Sequence, residues 1–598
     1  MRFSDALRAV LVLAVAMVLA ALAPVAAQAA AAPLPPVTIS PLRGTPDATP
    51  TTQISFLGVP AGDLSRISVR GSRSGSHSGS LEAYSTGNGA SYLPSRPFTA
   101  GEHVTVSALE TVAGQKEIIA TSFTIATLYT LPPSSTSKTA PVAPPGTTQT
   151  FVSAPTLHPP MLTVTVPAAD PALGDIFLAP KDGAPQQGPM IVSPTGQLVW
   201  FDPLPLGTEA TNVEVQSYLG QTVLTYWQGH PVENVGVGYG VIDNNHYQTI
   251  ATVKAGNGLS MDLHEFDVEP NGTAYVVAFE PVYENLSLLG GPARAIVDDC
   301  VVQEVDVRTG LVMFEWHAMG HISLTDSYVP RPSGKGSMWN AFHVNSIYLE
   351  PNQDLLISAR ATWTVYEVNP SNGEIVWRLG GRHSSFKLGP GVHFAWQHDA
   401  TRLPDGTIQM FDNEDEPKVE NRSRGIDVAL DFTNHSATLL HQYVIPGQPL
   451  LANSQGDVQQ LPNGDTFVGW GEIGIISEFT PAGALSLEMK LPGVMNSYRE
   501  YRFPWNAIPA TPPAVVASSA SGSGTTQFAV SWNGATGVLS WQVLAGASAS
   551  TLAPVGAPAP SSGFETMITA ATSAPYVALQ ALGANGALLG TSATITPS

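Results

Sequence analysis

Apolar and polar residues alternate along most of this chain in short runs broken by Gly, Ser, Pro and Asn, and long apolar stretches at helical spacing are scarce. Runs such as "TTQISFLGV", "HVTVSALET" and "IIATSFTIA" have the two-residue period of half-buried strands. The pattern predicts an all-β protein. Residues 36–128 are expected to form an Ig-like β-sandwich. Residues 129–160 are rich in Pro, Ser and Thr and are read as a linker. From 511 to 598 the alternation returns ("FAVSWNG", "LSWQVLAG", "YVALQALG") with Glu565 as the sole charged residue, which predicts a second, C-terminal β-sandwich.

The segment 161–510 repeats itself. "HEFDVEPNG" at 264, "NSIYLEPNQ" at 345, "HDATRLPDG" at 398 and "GDVQQLPNG" at 456 each close on Pro-Asn or Pro-Asp, and each precedes a further strand. Between them lie strand–turn–strand units such as "VQEVDVRTGLVMFEWHA" and "VYEVNPSNGEIVWRLGG". Loose repetition of this kind is the signature of propeller blades, and the segment has room for about six. The expected architecture is a six-bladed β-propeller flanked by the two sandwiches.

Composition sharpens the picture. Charged residues are only 12% of the 598, whereas Gly (55) and Pro (51) are abundant, which suits short strands and tight turns. The net charge of −21 disfavours nucleic acid or an anionic membrane as the main partner. The first 30 residues carry Arg2 and Arg8, an apolar run of about 15 residues and Ala-Gln-Ala at 27–29, the arrangement of a cleaved signal peptide. A secreted or cell-surface protein without a lasting membrane span is expected. With the single cysteine Cys300, no intrachain disulfide or Cys-based metal site can form; a buried structural thiol is expected.

The segment 161–510 holds 11 of the 14 histidines. In a propeller, equivalent positions of different blades converge on one axis. His264, Asn345 and His398 occupy the same offset before their turns. His343 lies two residues before Asn345 on the same strand face, and Arg360 ends the next strand, "LLISAR". Taken one at a time, these histidines most simply cap strands or hydrogen-bond between blades. As a recurring set they converge. Three imidazoles and a guanidinium suit the handling of a small oxyanion, in which a neutral imidazole attacks and a cation stabilises the charge that gathers on oxygen. A three-histidine metal site is the rival, but a guanidinium beside a dication is unfavourable. No cofactor and no metal are expected. His317 and His321 are four residues apart, but "MFEWHAMGHISL" reads as a strand entering a loop, so packing is expected of both. His383 and His393 fall in a Gly-rich loop; Asp412 and Asn413 follow the His398 strand, as turn formers or as support for the site.

The stretches "HVNSIYLEPNQDLLISARATWTVYEVNPSNGEIVWRLGG" and "FAWQHDATRLPDGTIQMFDNE", with "DDCVVQEVDVRTGLVMFEWHAMGHISL" and "RGIDVALDFTNHSATLLHQYVIPG", resemble the PAPS-independent arylsulfotransferases over roughly 200–505. The resemblance implies a six-bladed propeller that moves a sulfuryl group from a phenolic sulfate ester to a phenol, ping-pong, through a covalent sulfohistidine. It implies His398 as the nucleophile, His264, His343 and Arg360 as the groups that hold and polarise the sulfuryl group, and Asn345 in substrate binding. The partners implied are a small aryl sulfate donor and a phenolic acceptor. The chain departs from the family's pattern at Asn340-Ala341, where Asp-Trp is usual, and at Ala361, where His is usual. Two alternatives remain open: a non-catalytic surface propeller that binds glycans or other surfaces and, more distantly, a quinoprotein-type dehydrogenase.

Overall fold

The computed structural model describes residues 36–134, 139–142, 144–170, 174–233, 235–334, 336–519, 522 and 524–598. The expected signal peptide at 1–30 lies outside the described residues. Regular structure among them is all β, with a few single-turn 3₁₀ segments. No helix among them is long and apolar enough to cross a membrane.

Six mainly antiparallel sheets follow one another between residues 163 and 503. The second to fifth are each built mainly from consecutive strands: Glu209–Tyr218 to Thr249–Val253, Phe266–Val268 to Val312–His317, Val344–Leu349 to Ile375–Gly380, and His398–Arg402 to Ser436–Tyr443. The sixth runs from Asp457–Gln460 to Leu485–Lys490 and gains Thr163–Val166 as its last strand. The first contains Asp175–Leu178, Met190–Val192 and Leu198–Phe201, and is completed by Tyr501–Phe503 from the far end of the segment. Chain ends thus finish two neighbouring sheets.

The sheets also touch in a cycle. Tyr501–Phe503 packs on Glu209–Tyr218, that strand on Phe266–Val268, and Thr273–Glu284 on Val344–Leu349. Val344–Leu349 packs on His398–Arg402, that strand on Asp457–Gln460, and Thr466–Gly469 returns to Tyr501–Phe503. An apolar core fills each of the six gaps. Strands buried on both faces carry near-continuous apolar runs such as "AYVVAF" rather than clean alternation. All four repeats found in the sequence form the first strand of a sheet and its turn. Gly272, Gly406 and Gly464 supply the positive φ of three of these turns; in the fourth, Gln353 adopts φ 71° itself.

Two further pairs of sheets flank the six. Residues 38–124 form two four-stranded sheets around one core. They dock on the third of the six sheets, where Ser55 Oγ and Ser91 Oγ donate to Val312 O and Ser85 donates to Asp306. Residues 514–591 form a three- and a four-stranded sheet around another core, attached through Asn533, which bonds the Phe201 backbone at both N and O.

Where the first strands meet, Arg499 is fully buried. Its Nη1 lies 3.1 Å from Glu265 Oε1 and 3.5 Å from Asp399 Oδ1, and Nη2 donates to Asn345 O at 2.6 Å. One guanidinium therefore ties together the third, fourth and fifth sheets. Removing one member of such a buried cluster leaves uncompensated charge, a loss of about 3–5 kcal/mol. Arg499→Met should lower unfolding stability in urea by that amount. A loss below about 1 kcal/mol would show that Glu265 and Asp399 do not depend on it.

Candidate active site

The five residues singled out in the sequence lie at or just before the start of the first strand of their sheets, apart from Arg360, which follows the second strand of the fourth sheet. Local distortions aim them. His343, Trp363, Trp396, Asp399 and Gln455 all have φ between 50° and 68°, a conformation that costs a non-glycine residue energy and persists only where its surroundings enforce it. Register shifts interrupt Val344–Leu349 after Val344 and His398–Arg402 after His398, bending each strand where its polar residue must turn.

His264 and His343 meet directly, Nε2 to Nε2 at 3.1 Å. Nδ1 of His264 is bonded to Asp262, whose carboxylate also accepts from the backbone N of His264 and of Gly236. The His264 ring stacks on Phe279, with centroids 5.1 Å apart. Nδ1 of His343 instead meets the Asn340 amide at 2.8 Å. Burial, then the neighbouring His264, Arg360 and His398, depress the His343 pKa well below the usual imidazole value, so its ring is neutral.

His398 is almost wholly buried, and its tautomer follows from its neighbours. The Asn413 amide nitrogen donates to Ala452 O and Gln455 O, both at 3.0 Å, which turns Asn413 Oδ1 toward His398. Nδ1 of His398 is therefore the donor in their 2.8 Å bond, and the lone pair lies on Nε2. That lone pair receives only a long bond from Gln455 N, 3.2 Å. Burial and then the Arg360 charge hold the ring's pKa well below its ordinary value.

Arg360 has no carboxylate within ion-pair distance among the described residues. Nη2 donates to Asn453 O at 2.7 Å, Nε has no partner, and the guanidinium lies 4.9 Å over Trp396. Burial lowers its pKa to about 10, still cationic at neutral pH. The result is a partly desolvated positive charge with a free donor beside a neutral imidazole lone pair.

Asn345 is completely buried; its amide donates to Gln397 O at 2.7 Å and so fixes the residue preceding His398. Tyr498 was not anticipated: its ring is edge-on to both His264 (5.5 Å) and His398 (6.4 Å), and its buried hydroxyl has no partner. Neither were Asp262 and Phe279. Nor was an aromatic run leading outward from Arg360, with Trp396 against Trp363 (5.1 Å) and Trp363 stacked on Tyr328 (3.6 Å, 3°). Only the clustering of Trp and Tyr beside the candidate residues hinted at it. His383 and His393 lie out on the loop with half or more of their side-chain surface exposed, facing Asp326 and Glu414 respectively. Asp412 accepts from Ala395 N and Arg424 Nε, holding the backbone just before His398. A cavity of about 640 Å³ lined by Glu214, Asp267, Arg402 and Tyr501 includes none of the three histidines.

Residues 214–491 match the arylsulfotransferase (ASST) family model. That segment contains His264, His343, Asn345, Arg360, His398 and Asn413, and the match supports an arylsulfotransferase-type function in general terms. Tyr498 and Arg499 lie just beyond it. No curated protein matches the chain. Similar solved structures include a Bacteroides caccae protein of unknown function (14% identity, 55% of this chain and 98% of that one, TM-score 0.34). A virginiamycin B lyase from Staphylococcus aureus follows (11%, 62% and 95%, 0.29), as does a quinoprotein alcohol dehydrogenase-like protein from Bacteroides thetaiotaomicron (9%, 79% and 99%, 0.27). Similarity this low assigns neither fold nor function.

The strongly depressed imidazole pKa values of His343 and His398 have a consequence for stability. Below the unfolded pKa of about 6.5, the unfolded chain takes up protons that folded His343 and His398 refuse. The contribution of these two rings to stability must therefore fall as pH drops below that value. Replacing both by Asn should flatten the dependence of the urea midpoint on pH between about 6.5 and 5; an unchanged slope would show that neither ring is held neutral.

Proposed function

We propose that the protein is an exported arylsulfotransferase whose six cyclically packed sheets are the blades of a propeller, and that it transfers a sulfuryl group by way of His398. What supports this most is the tautomer imposed by Asn413, which leaves the Nε2 lone pair of a neutral imidazole beside an unpaired Arg360. In the first half-reaction Nε2 attacks sulfur, the bond from sulfur to the aryl oxygen breaks, and an N–S bond forms. The departing phenolate takes a proton from the His264–His343 pair. In the second, an acceptor phenol gives its proton back to that pair, its oxygen attacks sulfur, and the N–S bond breaks. The sequence of steps is ping-pong and balances without a cofactor.

Each residue has a physical task. Arg360 stabilises charge on the non-bridging sulfuryl oxygens. Of the two paired histidines, His264 has the Asp262 carboxylate at its Nδ1, which steadies the ring as the pair gives up and regains a proton, whereas His343 has only an amide there. His343 stays neutral and orients the group being transferred. Asn345 acts by holding Gln397 and the turn into His398. The Trp396–Trp363–Tyr328 run offers flat apolar faces to the aryl portion of donor or acceptor.

The purified protein is expected to transfer sulfuryl from p-nitrophenyl sulfate to phenol. Arg360→Met should lower kcat about 10²–10³-fold, and Arg360→Lys should not restore it fully, because an ammonium lacks the planar fork. His398→Asn should abolish turnover, and mass spectrometry of the wild type incubated with donor alone should find the sulfonate on His398. Silence of the wild type across a panel of aryl sulfates and phenols would overturn the assignment; undiminished activity of His398→Asn would overturn this nucleophile.

A further inference from the structure

A second polar cluster, which shares no residue with the proposed sulfuryl-handling set, lies where residues 38–124 dock on the third sheet. Its centre is His317, wholly buried. Nε2 of His317 is 3.1 Å from Glu315 Oε1. Nδ1 lies 3.0 Å from Asp299 Oδ2 and 3.1 Å from Asp47 Oδ1. The sheet register adds one more acid. Glu280 pairs directly with Asp299 across neighbouring strands, while Val301, two residues on from Asp299, pairs with His317. Directly paired positions and alternate residues share a sheet face, so Glu280, Asp299, Glu315 and His317 all point to the same side. Asp47 reaches in from the docked N-terminal part.

Four carboxylates thus surround one imidazole in a region closed to solvent. Even a doubly protonated His317 offsets only one of those charges. Glu315 is well served, since its other oxygen accepts from Asn257 and Gln303 at 2.7 and 2.6 Å. Asp299 accepts from Met319 N at 2.7 Å. Asp47 has only His317 Nδ1, which it shares with Asp299, and Glu280 has no donor at all. Glu280 is 2% exposed and Asp47 1% exposed, and neither makes a hydrogen bond of acceptable geometry through either oxygen. Besides burial, the influences felt by Glu280 are His317, Asp47, Asp299 and Glu315, so its unpartnered carboxylate faces into the cluster. Buried carboxylates without donors are strongly disfavoured unless something positive accompanies them.

The donor set has the layout of a metal site. Ligand atoms of Asp47, Asp299 and His317 all lie within 4.8 Å of one another. Glu315 on Nε2 would hold that nitrogen protonated and leave the Nδ1 lone pair aimed between the two aspartates, the arrangement in which an outer carboxylate orients a metal-binding imidazole. We propose that this cluster is a structural divalent-cation site with Asp47, Asp299 and His317 Nδ1 as direct ligands, Glu280 as the remaining carboxylate facing the ion, and Glu315 as the orienting group. A donor set of mainly carboxylate oxygen with a single imidazole favours a hard cation of the Mn²⁺ or Ca²⁺ class over thiophilic metals. The ion would join Asp47, from the N-terminal part, to two strands of the third sheet. It takes no part in sulfuryl transfer, and its test does not depend on that activity.

Full-length protein stripped with a chelator and titrated with Mn²⁺ should bind one ion per chain and gain thermal stability; Ca²⁺ should compete. The bound Mn²⁺ should show imidazole ¹⁴N coupling by pulsed electron paramagnetic resonance. Glu315→Gln should weaken binding about 10- to 100-fold, and Asp47→Asn should abolish both the ¹⁴N-coupled ion and the thermal shift. His393→Ala removes the imidazole of a second His–carboxylate group found among the described residues and should change nothing. Absence of Mn²⁺ and Ca²⁺ binding by the stripped wild type would overturn the proposal, as would an ion whose affinity and ¹⁴N coupling survive Asp47→Asn. Should Asp47→Asn not fold, the His393→Ala protein decides: ¹⁴N coupling retained there supports the site, and coupling lost there overturns it.

Discussion

The arrangement of the histidines depends on a buried guanidinium that none of them touches. Arg499 pairs with Glu265 and Asp399 and bonds Asn345 O, and these three residues are the chain neighbours, or next-but-one neighbours, of His264, His398 and His343. Three backbones that would otherwise bring two buried carboxylates together are drawn to one cation. The histidines then fall on the adjoining turn of each chain. The strained φ values at His343 and Asp399 are tolerable because the strands on either side are fixed by this ion cluster and by the cores between sheets. Arg499 comes from the segment that also supplies Tyr501–Phe503 to the first sheet, so completing that sheet and completing the site are one event.

The repeats at 264, 345, 398 and 456 were legible because a turn and the strand before it have a fixed local grammar: Pro, then Asn or Asp, then a residue able to take positive φ. That grammar located the first strands of four sheets, and with them His264, Asn345 and His398. It could not locate partners that approach from other parts of the chain. Asn413 is 15 residues from His398, Tyr498 is 100 residues away, and Asp262 is close in sequence but no different in type from any turn-forming Asp. Their roles arise from packing across sheets, which has no period in the sequence. Asn345 marks the limit of positional reasoning: its place in the repeat was legible, but its amide is engaged with Gln397 O, which only the bulged register makes possible.

His317 illustrates the same limit from the other side. Its spacing from His321 suggests a metal only on a helix, whereas here the strand ends at His317 and His321 lies in the turn that follows. The relevant neighbours are instead directly across the sheet, at Asp299, Val301 and Glu280, and in a docked part of the chain some 270 residues away, at Asp47. His321 merely bonds the His317 carbonyl. Clusters of this kind become visible only when register is known, since register decides which face each carboxylate occupies.

Arg499, fully buried, and Arg360, half-buried, show how a protein of net charge −21 can still present local positive charge. Arg499 is matched by Glu265 and Asp399 and has little attraction left for a further negative group. Arg360 has only Asn453 O and the face of Trp396. A partly buried positive charge without a carboxylate acts strongly over a few ångströms, while the acidic surface is screened within about 10 Å at ordinary ionic strength. The same charge also helps to keep His343 and His398 unprotonated. One unpaired guanidinium therefore does two things at once: it keeps a donor free in the candidate site and helps to keep the neighbouring imidazoles unprotonated. Supplying Arg360 with a carboxylate would forfeit both.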